Sequence, residues 1–79
     1  MPVLDVYSRK GCHLCEVLVE QLLDLVRGHA DVVVHDVDSC EDWCAEYGLR
    51  VPVVEYRGTQ LCEFTLDRGI VMAALAAKG

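Results

Sequence analysis

Hydrophobic residues change their spacing along the chain, and each spacing predicts a different element. Val3 to Tyr7 mixes β-branched and aromatic residues, which is typical of a short strand. From Cys12 onward, apolar residues recur every three or four positions, which predicts an amphipathic helix that ends at Gly28. The apolar stripe of this helix is formed by Leu14, Leu18, Leu22, Leu25 and Val26.

The middle of the chain predicts a second strand and a second helix. Residues 32–34 are three consecutive valines, which indicates a strand buried on both faces. Asp38 or Ser39 can cap a short helix that ends at Gly48. The side chains at helical spacing, which we expect to share one face, are those of Cys40, Trp43, Cys44 and Tyr47.

The last third of the chain predicts a hairpin followed by a helix. The runs 51–56 and 60–66 flank a turn of Arg57, Gly58 and Thr59. Asp67 can then cap a final helix, whose apolar side carries Ile70, Val71, Ala74 and Leu75. The predicted order is βαβαββα, an α/β fold in which helices flank one four-stranded mixed sheet.

Composition and charge narrow the class of protein. Seventy-nine residues are enough for one domain, spanning residues 1–79. The net charge is −6, with seven basic residues scattered among thirteen acids, which argues against nucleic acid as a partner. The sequence shows neither a signal-peptide pattern nor the roughly 18 apolar residues of a membrane span. We therefore expect a cytoplasmic monomer without membrane contact.

Five cysteines in a chain without an export signal indicate catalytic or metal-binding thiols rather than a disulfide scaffold. Cys12 and Cys15 form a Cys-x-x-Cys motif at the start of a helix within a βαβ pattern, which is a redox arrangement. Amide groups at the helix start favour a thiolate at Cys12. Cys15 lies one turn further along the helix and can attack a mixed disulfide held at Cys12.

The motif and its surroundings resemble glutaredoxins, small proteins of thioredoxin fold. The resemblance rests on Arg9, Lys10, Gly11, Cys12, His13, Leu14 and Cys15 after a strand, and on Val51-Pro52 before the hairpin. It implies that Cys12 and Cys15 are the catalytic pair. It also implies a cis-Pro52 beside the nucleophile, with the backbone of Val51 pairing with a bound thiol peptide, and an Arg9 that grips a glutathione carboxylate or is simply a solvated loop cation.

Two departures from the family pattern affect what the resemblance implies. His13-Leu14 stands between the cysteines where dithiol glutaredoxins usually carry Pro-Tyr, and a charged His13 would stabilise the Cys12 thiolate. Cys62-Glu63 stands where the family has a Gly-Gly pair that binds glutathione. An added β-carbon and an added carboxylate both argue against tight binding of this anionic tripeptide.

The resemblance implies a thiol-disulfide oxidoreductase that exchanges electrons with disulfides of proteins or small thiols. It implies no metal and no prosthetic group, with glutathione as a candidate co-substrate and a reductase or glutathione as electron donor. Two alternatives stay open. One is a zinc or iron-sulfur module, for which Cys40 and Cys44 are the obvious further ligands. The other is a non-catalytic adaptor that binds an extended partner segment in its groove.

The remaining candidate residues have simpler interpretations. We expect Cys40, Cys44 and Cys62 to be small apolar residues of the core, with a third redox cysteine as the alternative for Cys62. Asp5 is a weaker candidate for accepting a proton from Cys15. His29 and His35 are expected at the surface.

Overall fold

The computed structural model describes residues 1–77. Over these residues, four strands and three α-helices follow in the predicted order, and a short 3-10 turn, Val37–Ser39, is added before the second helix. The elements are β1 Val3–Ser8, α1 His13–Leu25, β2 Asp31–Asp36, α2 Glu41–Tyr47, β3 Val53–Tyr56, β4 Thr59–Glu63 and α3 Arg68–Ala76. None of the helices in this part of the chain has the length and apolar character needed to cross a membrane.

The four strands form one mixed sheet in the order β2-β1-β3-β4. β1 pairs with β2 in parallel and with β3 in antiparallel orientation, and β3 and β4 form an antiparallel hairpin. The expectation that β2 is buried on both faces is wrong, because Val33 and Val34 are 42% and 48% exposed. β2 lies at the sheet edge, and a run of valines indicates a strand without indicating its position in the sheet.

The core lies between one face of the sheet and the helices α1 and α3. Its buried residues are Leu4, Val6, Leu18, Leu22, Val26, Ala30, Val54 and Val71. The predicted stripe of α1 is correct except at its start, because Leu14 is 52% exposed and Cys15 is buried in its place. A step of four residues exceeds one helical turn of about 3.6, so Leu14 falls at the edge of the stripe.

Helix α2 packs on the opposite face of the sheet through aromatic rings. Tyr7 stacks between Tyr47 and His35, with centroid distances of 4.0 and 5.0 Å. Trp43 meets the Tyr7 ring edge-on at 5.7 Å. His35 is half-buried in this cluster rather than exposed, and its Nε2 lies 2.8 Å from Asp5 Oδ1. Burial in this cluster raises the pKa of Tyr7 and of Tyr47.

Local turn chemistry explains the C-terminal half. The hairpin turns at Arg57 and Gly58, whose φ angles of 53° and 79° suit a two-residue turn. β4 ends three residues earlier than predicted, because Phe64 has a φ of 66° and its N–H donates to the Pro52 carbonyl at 2.8 Å. Asp67 caps α3 as predicted, its Oδ1 accepting from the Ile70 N–H at 3.0 Å.

The difference in burial between Leu22, which is fully buried, and Leu14, which is exposed, predicts different contributions to stability. Leu22→Ala is expected to lower the free energy of unfolding by about 2–4 kcal/mol, because it leaves a cavity in the core. Leu14→Ala is expected to lower it by less than about 1 kcal/mol. Denaturant unfolding followed by circular dichroism measures both values. Equal losses would show that the stripe begins at Leu14 after all.

Candidate active site at the start of the first helix

The segment before α1 holds Cys12 at the helix N-terminus. The Arg9 carbonyl accepts the Cys12 N–H at 3.2 Å, and Gly11 turns the chain with a φ of 78°. Cys12 has extended backbone angles and acts as the N-cap of α1. Its Sγ accepts a hydrogen bond from the Cys15 N–H at 3.2 Å. One of the unpaired amides of the first turn therefore points at the Cys12 sulfur, where it stabilises a thiolate when the pair is reduced.

Cys12 and Cys15 are joined by a disulfide in the structure, with 5.2 Å between their Cα atoms. The two sulfurs differ in accessibility, because Cys12 is half-buried while Cys15 is only 3% exposed. Cys15 is the first buried residue of the stripe that α1 turns toward the sheet. This arrangement leaves Cys12 as the thiol that an incoming molecule reaches first.

Pro52 and Val51 lie directly before β3, and the peptide bond between them is cis. Pro52 is buried and Val51 is half-buried. The hydrogen bond from Phe64 to the Pro52 carbonyl ties this segment to the connection between β4 and α3. A groove of about 280 Å³ runs between that connection and α1, lined by Leu14, Val17, Leu18, Gln21, Phe64, Thr65, Leu66 and Arg68.

Arg9 is engaged within the protein. Its Nε and Nη2 donate to the two carboxylate oxygens of Asp38 at 3.0 and 3.1 Å. Its Nη1 donates to the Gly48 carbonyl at 3.1 Å, and its Nη2 lies 3.7 Å from Cys44 Sγ. The hydrogen bonds to Asp38 raise the pKa of Arg9. His13, by contrast, is exposed, with its Nδ1 3.9 Å from Glu16 Oε2.

The other cysteines lie apart from the motif in different environments. Cys62 packs against the core from β4, as expected for an apolar role, and burial raises the pKa of its thiol. Cys40 is the half-buried N-cap of α2. The core position predicted for Cys44 is wrong, because its side chain is exposed and faces Arg9 and Asp38. Within residues 1–77, no three His, Cys, Asp or Glu side chains converge in a group that could hold a metal ion.

Asp5 is not placed to take a proton from Cys15. Side chains alternate between the two faces of a strand, and Leu4 and Val6 point into the core that α1 covers. Asp5 points to the opposite face, where it contacts His35. The sequence pattern predicted neither the ion pair of Asp38 with Arg9 nor the contact of His35 with Asp5. The one signal in the sequence is the position of Asp5 between apolar residues of β1, which indicates a polar side chain on the second face of the sheet, where it needs a partner.

Sheet order, helix placement and the cysteine pair together define a small α/β protein of thioredoxin-like fold. Solved structures of this fold class resemble the chain along most of its length. Residues 3–76 match the model of the Glutaredoxin-like domain family (DUF836), and the chain belongs to this family. The predicted family and fold are therefore confirmed. No curated protein matches the chain.

Three solved structures illustrate the likeness. A structural-genomics target protein from X. campestris is 29% identical, covers 96% of this chain and 99% of its own, and superposes with a TM-score of 0.71. A malarial protein is 14% identical, with coverages of 90% and 89% and a TM-score of 0.62. The germline-specific thioredoxin Deadhead from Drosophila melanogaster is 23% identical, with coverages of 94% and 77% and a TM-score of 0.52. The last two support the fold alone.

The environments of Cys44 and Cys62 predict different reactivities toward alkylation. At pH 8 we expect iodoacetamide to modify Cys44 at least about tenfold faster than Cys62, because Cys44 is exposed while burial of Cys62 keeps its thiol protonated. Mass spectrometry of timed samples gives both rates. In urea the two rates should converge, and faster modification of Cys62 in the folded protein would contradict its placement.

Proposed function

We propose that this protein is a thiol-disulfide oxidoreductase whose Cys12–Cys15 pair exchanges with disulfides of proteins or small thiols. The observation that carries the proposal is the disulfide at the helix N-terminus, where the Cys12 sulfur accepts the Cys15 amide while Cys15 is sealed in the core. Membership of a glutaredoxin-like family and the thioredoxin-like fold support it.

The reaction follows from the different positions of the two sulfurs. In the reduced protein, the Cys12 thiolate attacks one sulfur of a substrate disulfide, and the other sulfur leaves as a thiol after taking up a proton. Cys12 is then bonded to the substrate in a mixed disulfide. Cys15 loses its proton and attacks the Cys12 sulfur, which expels the second substrate thiol and closes the Cys12–Cys15 bond. Two electrons pass from the protein to the substrate.

Substrate contacts are proposed along the groove beside α1. Leu14 and Phe64 are exposed apolar side chains that line it, which suits an extended peptide segment next to the disulfide under attack. We assign to Val51 and Pro52 the strand-like pairing with that segment. His13 follows Cys12 directly, and when protonated it adds positive charge beside the thiolate. We assign the protein to a reducing cytoplasm, as a monomer.

The proposed chemistry needs neither a metal nor a prosthetic group, because both electrons are held by the cysteine pair. Each reaction with a substrate leaves the cysteine pair as a disulfide, which must be reduced before the next cycle. We propose that a reductase or glutathione donates the two electrons. The engagement of Arg9 by Asp38 and the ion pair between Arg50 and Glu63, 3.1 Å apart, leave two arginines already paired with carboxylates. Glutathione is accordingly proposed as a weak co-substrate.

Substitution of each cysteine tests the assigned roles. Cys12→Ser is expected to abolish reduction of a disulfide-bonded peptide, because the attacking sulfur is lost. Cys15→Ser is expected to accumulate a mixed disulfide at Cys12, because the second attack is lost. Intact-mass spectrometry detects both products. Cys44→Ser serves as the control, since it removes an exposed thiol outside the pair and should leave the reduction intact.

Equilibration in glutathione redox buffers measures the potential of the wild-type pair. We expect one reversible disulfide that maps to Cys12 and Cys15. The proposal fails if exchange persists in Cys12→Ser, or if both thiols resist alkylation until a metal ion is stripped from the purified protein.

A further inference from the structure

We propose that Asp38 determines thiol specificity by occupying the Arg9 guanidinium, which disfavours carboxylate-bearing thiols such as glutathione as reductants of the Cys12–Cys15 disulfide. This inference rests on the proposed function and concerns the class of thiol that the site accepts. Nothing in the sequence pattern marked Asp38 for such a role, beyond its candidacy as a helix cap.

Arg9 is connected to Cys12 through its backbone, and it lines the same cavity as Cys15. It lies three residues before Cys12, and its carbonyl accepts the Cys12 N–H. A guanidinium in this place is a natural anchor for an anionic thiol, because its planar donors match the two oxygens of a carboxylate. A thiol that bears a carboxylate would gain a paired contact there if the donors were free.

Most of these donors are already used by the protein. All three guanidinium nitrogens donate hydrogen bonds, two of them to Asp38 in the paired geometry that a substrate carboxylate would adopt. The third bond, to the Gly48 carbonyl, fixes the plane of the group. A carboxylate that approaches Arg9 must displace Asp38 before it gains an equivalent contact.

Asp38 is held in place by the 3-10 turn that carries it. The Asp36 Oδ1 accepts the Asp38 N–H at 3.0 Å, and the Ser39 hydroxyl donates to the Asp36 carbonyl at 2.6 Å. Val37, between them, is fully buried. The carboxylate is therefore positioned before any ligand arrives, and little conformational freedom is lost when it pairs with Arg9.

The surrounding charges act in the same direction. Arg9 lines a cavity of about 540 Å³ that also reaches Cys15, and its other charged lining residues are Lys10, Glu16, Glu20 and Asp36. With Arg9 neutralised by Asp38, one lysine faces three acids. An anionic thiol near this side of the motif meets net repulsion, whereas a neutral or cationic thiol does not.

The step under test is the reduction of the protein disulfide by a monothiol. A thiolate attacks the Cys12 sulfur, breaks the bond to Cys15, and forms a mixed disulfide while the Cys15 sulfur takes up a proton. A second thiolate attacks the sulfur of the first reductant molecule, which yields the oxidised reductant and frees the Cys12 thiolate. Two thiols thus deliver two electrons.

The experiment compares glutathione with its diethyl ester, which has the same thiol and no free carboxylates. Rates of reduction are measured for wild-type protein, Asp38→Asn and Asp42→Asn at low ionic strength. We expect Asp38→Asn to raise the ratio of the glutathione rate to the ester rate by about three- to fivefold, the range that corresponds to one partly exposed ion pair. Asp42→Asn, an equal charge change at an exposed acid of α2, should leave the ratio nearly unchanged.

The double variant Arg9→Gln/Asp38→Asn shows whether the effect passes through Arg9. Its net charge equals that of the wild type, and we expect its ratio to return to the wild-type value. An unchanged ratio in Asp38→Asn, an equal rise in Asp42→Asn, or a rise that persists in the double variant would overturn the inference. The ester rate reports whether each variant still folds and reacts. If neither reductant reduces the wild-type disulfide, it is the proposed function that fails.

Discussion

Burial of the α1 stripe against the centre of the sheet is the contact on which the rest of this protein depends. Leu18, Leu22 and Val26 fill the space over Leu4 and Val6, which are fully buried. Cys15 lies at the first buried position of the same stripe. The packing that stabilises so small a domain therefore also hides one sulfur and leaves the other at the helix start. A shift of α1 by one residue would expose Cys15, because Leu14 and Glu16 on either side of it are both exposed.

Ion pairs between arginines and carboxylates connect elements outside this core. The chain carries seven basic residues, and two of them, Arg9 and Arg50, form ion pairs within the protein. Arg9 holds Asp38 and the Gly48 carbonyl, and Arg50 holds Glu63 while lying over the Tyr47 ring at 5.5 Å. Arg9 thus contacts Gly48, which precedes Pro52 in the chain, and Arg50 contacts Glu63 on β4, which follows it. These two arginines consequently contribute less net positive charge to the surface than their positions in the sequence indicate.

Most of the fold was predictable because its signals are local. Helical periodicity, the Gly58 turn and the Asp67 cap each act within a few residues, and the Cys-x-x-Cys spacing identifies the disulfide-bonded pair for the same reason. The errors share a different origin. Whether a valine run occupies an edge, whether Cys44 faces the sheet, and whether Arg9 has a partner all depend on residues distant in the chain. Arg9 and Asp38 are 29 positions apart, and no local pattern joins them.

The Gly48 carbonyl that accepts a hydrogen bond from Arg9 follows α2 directly, so its position depends on how α2 is held. No residue of α2 is fully buried, so hydrophobic burial alone does not fix this helix on the sheet. The ring stack of Tyr7 with Tyr47, reinforced by the bond from the Tyr47 hydroxyl to Glu55 Oε2 at 2.7 Å, supplies the missing restraint. Tyr47 directly precedes Gly48, whose carbonyl completes the shell around Arg9. Loosening the stack would therefore weaken the contact of Arg9 with Gly48 and leave its pairing with Asp38 in place, so the aromatic rings on this face of the sheet help to orient the guanidinium.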